Sequence, residues 1–148
     1  DDESRDYILN KYEKELTENT TSIHIRRGDY LKFSKIHPIC TKEYYINSMK
    51  NFSSDTRFLV FSDDPEWCMQ NFEMKKSTVI HGEEDYVDLF LMSMCKNNII
   101  ANSSFSWWGA WLNNNPEKII VAPKKWFGPE GPQETEDLIF NNWIQEGI

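Results

Sequence analysis

Five short apolar runs, separated by stretches with helical spacing, constrain this chain more than any other feature. They are "SIHIR" at 22–26, "RFLVFS" at 57–62, "STVIH" at 77–81, "NNIIAN" at 97–102 and "KIIVA" at 118–122. Each is rich in β-branched or aromatic residues, and most lack polar alternation. Such runs read as strands buried on both faces. Between them the period changes. Tyr7, Ile8, Tyr12 and Leu16 sit near helical spacing in a segment spanning 4–18. Thr41 is a suitable N-cap for a helix over 42–52. Asp63 or Asp64 with Pro65 starts a helix through Phe72. Asp85 is placed to cap 86–96, and Ser103 or Ser104 to cap 105–113. Strand and helix alternating in this way predict an α/β fold, a parallel sheet with helices on both faces. The tail after Pro123 is rich in Pro and Gly, and a helix is expected from about Asp137. The length of 148 residues, with no repeat or interior linker, fits one domain over 1–148.

In such sheets ligands sit at the carboxyl ends of the strands. The junctions there are Arg26-Arg27-Gly28-Asp29, Ser62-Asp63-Asp64, His81-Gly82-Glu83, Asn102-Ser103-Ser104 and Pro123-Lys124-Lys125. A site is therefore expected to assemble from separated pieces of chain. Charge narrows what it can bind. A net charge of −8 argues against general nucleic-acid binding or a basic membrane surface. An anion needs a local positive potential, and half of the four arginines stand side by side as Arg26-Arg27.

Several familiar chemistries are missing. There is no GxGxxG fingerprint, no GxxxxGK[ST] loop, no GxSxG elbow and no HExxH pair. Asp63-Asp64 and Glu83-Glu84-Asp85 lack DxD spacing; a helix cap and a solvated turn are their ordinary roles, and no metal site is expected. Cys40, Cys68 and Cys95 have no CxxC spacing and read as buried free thiols, weakly favouring a reducing compartment. Three triplets, beginning at Asn19, Asn51 and Asn102, fit the N-glycosylation pattern and matter only in a secreted context. No window approaches the ~20 apolar residues of a membrane span. The chain opens on "DDESRDY" without a methionine, and is expected to be part of something longer.

Two motifs remain. In "HIRRGDY", alternation along a strand puts His24 and Arg26 on one face and Ile25 and Arg27 on the other. One arginine can face a crevice while the other braces a neighbour. The planar guanidinium fork suits a diphosphate. Gly28 permits a close backbone approach. Asp29 can orient an arginine, Arg27 being the partner in view, or accept a proton. A surface salt bridge is the ordinary alternative for such an arginine. An adhesion role for Arg27-Gly28-Asp29 is disfavoured, because the triplet follows a buried strand. In "IIANSSFSWWGAWL" a buried strand runs through Asn102 into Ser103, Ser104, Phe105 and Ser106 and then a helix. Free amides at a helix N-terminus and the serine hydroxyls suit an anion; a plain serine cap is the alternative. Trp107, Trp108 and Trp111 recur at spacings of three and four, which fits core packing better than an aromatic platform.

"HIRRGDY" followed downstream by "DLFLMSMCKNNIIANSSFSWWGAWL" resembles glycosyltransferase family 11, the GDP-L-fucose α-1,2-fucosyltransferases. The likeness runs from about Ser22 to Phe127, with "FLVFSDD" and "IIVAPKKWF" also similar. It implies a Rossmann-like, nucleotide-sugar-binding half of a GT-B fold. It implies inverting transfer of L-fucose to the 2-hydroxyl of a galactose-terminated glycan, with GDP-fucose as donor and no metal or other cofactor. By the same resemblance Arg26 would hold the diphosphate, with His24, Arg27 and Gly28 shaping the pocket. Asp88, an exposed helix residue on its own pattern, would pair with guanine. Asn102, Ser103, Ser104, Phe105 and Ser106 would meet the phosphates, and Asp29 is a candidate base. Family enzymes are about twice this length, so an acceptor-binding half preceding Asp1 is expected. A cytoplasmic or cytoplasmic-face location is expected for a microbial or viral source, and the Golgi lumen for an animal one. The alternative reading is a stand-alone nucleotide or nucleotide-sugar module without transferase activity.

Overall fold

The computed structural model describes residues 1–17, 19–73 and 75–148. Glu18, the last residue of the first expected helix, lies outside them. The elements run α1 (Asp2–Lys11), β1 (Thr20–Ile25), α2 (Lys42–Met49), β2 (Arg57–Ser62), α3 (Pro65–Asn71) and β3 (Ser77–Ile80). They continue as α4 (Asp85–Met94), β4 (Asn97–Ile99), α5 (Ser104–Trp111), β5 (Ile120–Pro123) and β6 (Ile144–Glu146). The strands form one sheet in the order β3-β2-β1-β4-β5-β6, and every pairing is parallel. The chain reverses direction of growth at β1, and β4 fills the place on its far side. A crevice at such a reversal is where an α/β sheet takes a ligand.

Period-two alternation decides which side each residue serves. Ile23 and Ile25 join Tyr44, Tyr45, Cys68 and Phe72 in the core under α2 and α3. Leu59, Phe61 and Ile80 pack on the opposite face with Ile8, Val87 and Leu91 of α1 and α4. Ile100, Ile120 and Ala122 pack there too, against Ala110 of α5, Trp126 and Trp143. Helices thus cover both faces, and all six residues of β1 are buried. The predicted caps hold where they are local. Thr41 Oγ1 accepts the Tyr44 amide at 3.2 Å, and Asp64 Oδ1 accepts the Trp67 amide at 3.2 Å. Asp85 is not a cap; it lies inside α4, whose first turn is preceded by Glu84.

Three other expectations change. The tail from Asp137 is not helical: it passes through turns and ends as β6. Leu138 is held there because its carbonyl accepts Trp107 Nε1 at 2.6 Å, and Trp143 is drawn into the core. The first helix ends at Lys11 rather than near Glu18. Of the three tryptophans on α5, Trp107 packs beside Trp143, while Trp108 and Trp111 stay 48% and 49% exposed. The cysteines match expectation, being free and buried.

Candidate functional site

β1, β2, α4 and α5 meet around a cleft of about 200 Å³ at the carboxyl edge of the sheet. His24, Arg26, Asp63, Asp88, Ser103 and Phe105 are among its lining residues. A larger cavity, about 620 Å³, opens beside Arg5, Met94, Lys96 and Asn113. It contains none of the residues at the carboxyl ends of β1 and β2, so volume alone does not locate the chemistry.

Alternation divides the arginines as the strand pattern requires. Arg26 continues the His24 face into the cleft. Arg27 turns to the α2–α3 side, where its guanidinium lies 4.2 Å from the Trp67 ring and Nε donates to Asp64 Oδ2 at 3.3 Å. Arg27 therefore shapes the pocket only through its backbone, whose N–H donates to Asp63 Oδ1 at 2.9 Å. Asp29 pairs with Arg26, not Arg27: Arg26 Nη2 donates to its Oδ1 at 2.7 Å. Gly28 permits a close approach, since a Cβ there would stand 2.3 Å from Asp63 Oδ2 and displace that carboxylate. Sequence reasoning put Asp63 at a strand-end junction and offered it as a helix cap, but gave it no bond to Arg26. Its ion pair with Arg26, Nη1 to Oδ2 at 3.4 Å, joins two strand ends and has no local signature.

His24 is buried against Phe105, ring centroids 5.4 Å apart. Burial, then the Arg26 charge, pushes its pKa down to about 3, so it works as a neutral imidazole. Its Nδ1 has no hydrogen-bond partner. Asp88 is half-buried rather than exposed, because the first turn of α4 faces the cleft. Burial, then the charges of Asp85 and Glu83, raises its carboxyl to about 7. Its Oδ1 is enclosed and unpartnered. Native proteins seldom leave such an atom without a donor, so this oxygen waits for one.

The serine-rich turn contributes less than its composition suggests. Ser103 precedes α5 without a side-chain cap bond and lines the cleft. Ser106 Oγ instead donates to the carbonyls of Ala101 and Ser103, at 3.2 and 3.3 Å. Asn102 is also committed: Nδ2 donates to the carbonyls of Pro38 and Trp126 at 2.8 and 2.9 Å. Ser104 is exposed and does not line the cleft. Of that run, Ser103 and Phe105 face the site. The thiols are poor nucleophiles, burial pushing Cys40 and Cys95 up to about 12. Among the described residues no three His, Cys, Asp or Glu side chains are grouped to hold a metal ion.

A Rossmann-like parallel sheet with a guanidinium and an unpartnered carboxylate at its reversal point defines a doubly wound α/β protein with a candidate ligand site at its switch point. The comparisons narrow it. Residues 5–147 match the family model "Glycosyl transferase family 11", and the chain belongs to that family. It is 43% identical over 148 residues to the O-antigen biosynthesis glycosyltransferase WbnK of Escherichia coli, covering 92% of this chain and 48% of that protein. It is 48% identical over 123 residues to an α-1,2-colitosyltransferase of Escherichia coli, covering 76% of this chain and 42% of that one. The chain thus spans about half the length of these relatives. Its fold is similar to part of the fucosyltransferase NodZ. The Bradyrhizobium structure gives a TM-score of 0.52 at 16% identity, covering 90% of this chain and 47% of that one. A NodZ crystal soaked with GDP-fucose gives 0.50 at 17%, covering 74% and 41%. The sheet is accordingly the Rossmann-like half of a GT-B-type fold.

Proposed function

We propose that this chain supplies the donor site of an α-1,2-glycosyltransferase that moves L-fucose from GDP-fucose to the 2-hydroxyl of a galactoside. The observation that carries the proposal is the pairing, in one cleft, of Arg26 with the unpartnered Asp88 oxygen. Guanine offers two adjacent N–H donors, which one carboxylate accepts together. A diphosphate offers the oxygens that a guanidinium fork binds. Ser103 and the N-terminus of α5 add amide donors toward the same anion. Neutral His24 and the Phe105 ring form an uncharged wall between the two ends.

Transfer proceeds with inversion through an oxocarbenium-like transition state in which the departing GDP gains charge. Arg26 and the α5 N-terminus are placed to stabilise that charge without a metal ion. Asp29, on the rim beside Arg26, is the candidate base for the acceptor hydroxyl. The remaining half of the relatives' length corresponds to the part that would face this cleft and hold the acceptor. The colitosyltransferase relative supports colitose as a second sugar for transfer; if that sugar is also carried by GDP, the same nucleotide contacts serve it.

Calorimetry with GDP, GDP-fucose, UDP and ADP, with and without divalent cations, tests this reading. Guanine-selective binding that needs no cation is expected. Equal binding of all the nucleotides overturns it. Arg26→Lys should weaken GDP binding by about 1.5–3 kcal/mol, the scale of a bond to a charged group. Turnover with a β-galactoside, comparing GDP-fucose with GDP-colitose, then fixes the donor sugar. Nucleotide binding by a full-length protein that has no facing half, with no turnover, favours the stand-alone module.

A further inference from the structure

The Arg26 fork is already occupied by carboxylates. Nη2 donates to Asp29 Oδ1 at 2.7 Å, and Nη1 lies 3.4 Å from Asp63 Oδ2. These nitrogens are the ones a diphosphate would use. The two carboxylates are held very differently. Asp63 is fixed from two sides. Its Oδ1 accepts the Arg27 amide at 2.9 Å, and its Oδ2 lies so close to Gly28 that a Cβ there would have to push it aside. Its side chain is 25% exposed. Asp29 opens a single 3-10 turn, its side chain is 57% exposed, and among the described residues its carboxylate has no partner but Arg26.

We propose that these acids have opposite roles toward the donor. Asp63 is a positioning residue, a fixed brace that aims the Arg26 guanidinium into the cleft. Asp29 is a placeholder in the diphosphate seat that yields when the nucleotide arrives. The exchange replaces one ion pair with another and moves no proton. It rests on the reading of Arg26 as the diphosphate ligand. It also gives Asp29 a timed role. The carboxylate is released from Arg26 only once the donor is bound, when a rim base becomes useful. Its return to the guanidinium helps expel GDP.

Binding of inorganic pyrophosphate and of GDP to the 148-residue chain tests the two roles by sign. Asp29→Asn should tighten binding about fivefold, the upper range for an exposed ion pair. Asp63→Asn should weaken it about tenfold, on the scale of a lost bond to a charged group. Removing a negative charge near an anion would by itself tighten binding, so weakening can come only from lost aim. Asp85→Asn, removing a cleft carboxylate that does not bond Arg26, measures that field effect with pyrophosphate, a probe that has no base for Asp88 to meet. Gly28→Ala is the charge-neutral counterpart: it displaces Asp63 and should also weaken binding, whether or not Asp63→Asn folds. In an Arg26→Lys background the Asp29 and Asp63 effects should both shrink, whereas a general stability role would leave them intact. Tightening by Asp29→Asn no greater than by Asp85→Asn overturns the placeholder. Tightening by Asp63→Asn, or unchanged binding by Gly28→Ala, overturns the brace. Failure of the unaltered chain to bind either probe overturns the donor reading itself, and the exchange with it.

Discussion

Asp88 carries the pH dependence expected of the cleft. Its carboxyl titrates near 7 in the fold, against about 3.8 ordinarily. A raised value means that the ligand-free fold favours the protonated form. Its contribution to stability is therefore present at low pH and is lost as pH climbs through about 7. Asp88→Asn should stabilise the free chain by about 1 kcal/mol at pH 8, discounted for solvent screening, and leave stability near pH 4 unchanged. Thermal melts at the two pH values check this. Guanine requires the ionised form, so GDP affinity should fall as pH drops below about 7, with proton release on binding. Asp88→Asn should flatten that profile and erode the preference for GDP over ADP. A variant that keeps the preference rules Asp88 out as the guanine partner. The residues themselves gave uneven warning of this site. The split between Arg26 and Arg27 was legible, because strand alternation is local geometry. Asp88 was not legible from its own pattern, since helical spacing cannot say which turn a cleft will cover. Asp63 was hidden for another reason, its partner being on a different strand end.

Among the elements, β4 is the one whose side chains do most for neighbours. Asn98 Nδ2 donates to Ser22 Oγ on β1 at 2.6 Å and to the Met92 carbonyl of α4 at 2.8 Å. Its Oδ1 accepts Asn113 Nδ2, just beyond α5, at 2.8 Å. One buried amide thus ties together the strand and both helices that frame the cleft. Asn98→Ala leaves several buried groups unpaired and should cost about 2–4 kcal/mol in a urea titration. A loss under 1 kcal/mol would mean that water replaces the amide without penalty. Local signals located most elements well. Thr41 and Asp64 announce their helices because capping involves residues three apart in sequence. The serine run before α5 misled for the complementary reason. Whether a hydroxyl faces a ligand or a carbonyl depends on the turn that Asn102 anchors to the loops at Pro38 and Trp126.

At the scale of the molecule, the parallel sheet and its two covered faces followed from five apolar runs, but the sixth strand did not. "IQE" is too short to read as a strand, and Trp143, the residue just before it, anchors it to the core. That ring is 7% exposed and lies 5.1 Å from Phe140 and 6.5 Å from Trp107. Trp143→Ala should destabilise the fold by about 3–5 kcal/mol, the range for a large aromatic removed from a core. Loss of near-ultraviolet circular dichroism at lower urea reads it directly. An unchanged midpoint would show β6 to be an ornament on the edge.

The strand order has a consequence during synthesis. β1 leaves the ribosome with Arg26 directly behind it, and β2, its neighbour on one side, follows first, with β3 outside it. The place on its other side stays empty until β4 and α5 emerge. The wall with Arg26 and Asp63 is therefore available well before the wall with Ser103 and Phe105. A ligand of this cleft can be gripped from both walls only by a chain that has closed this gap, so the cleft is among the last features the growing protein completes.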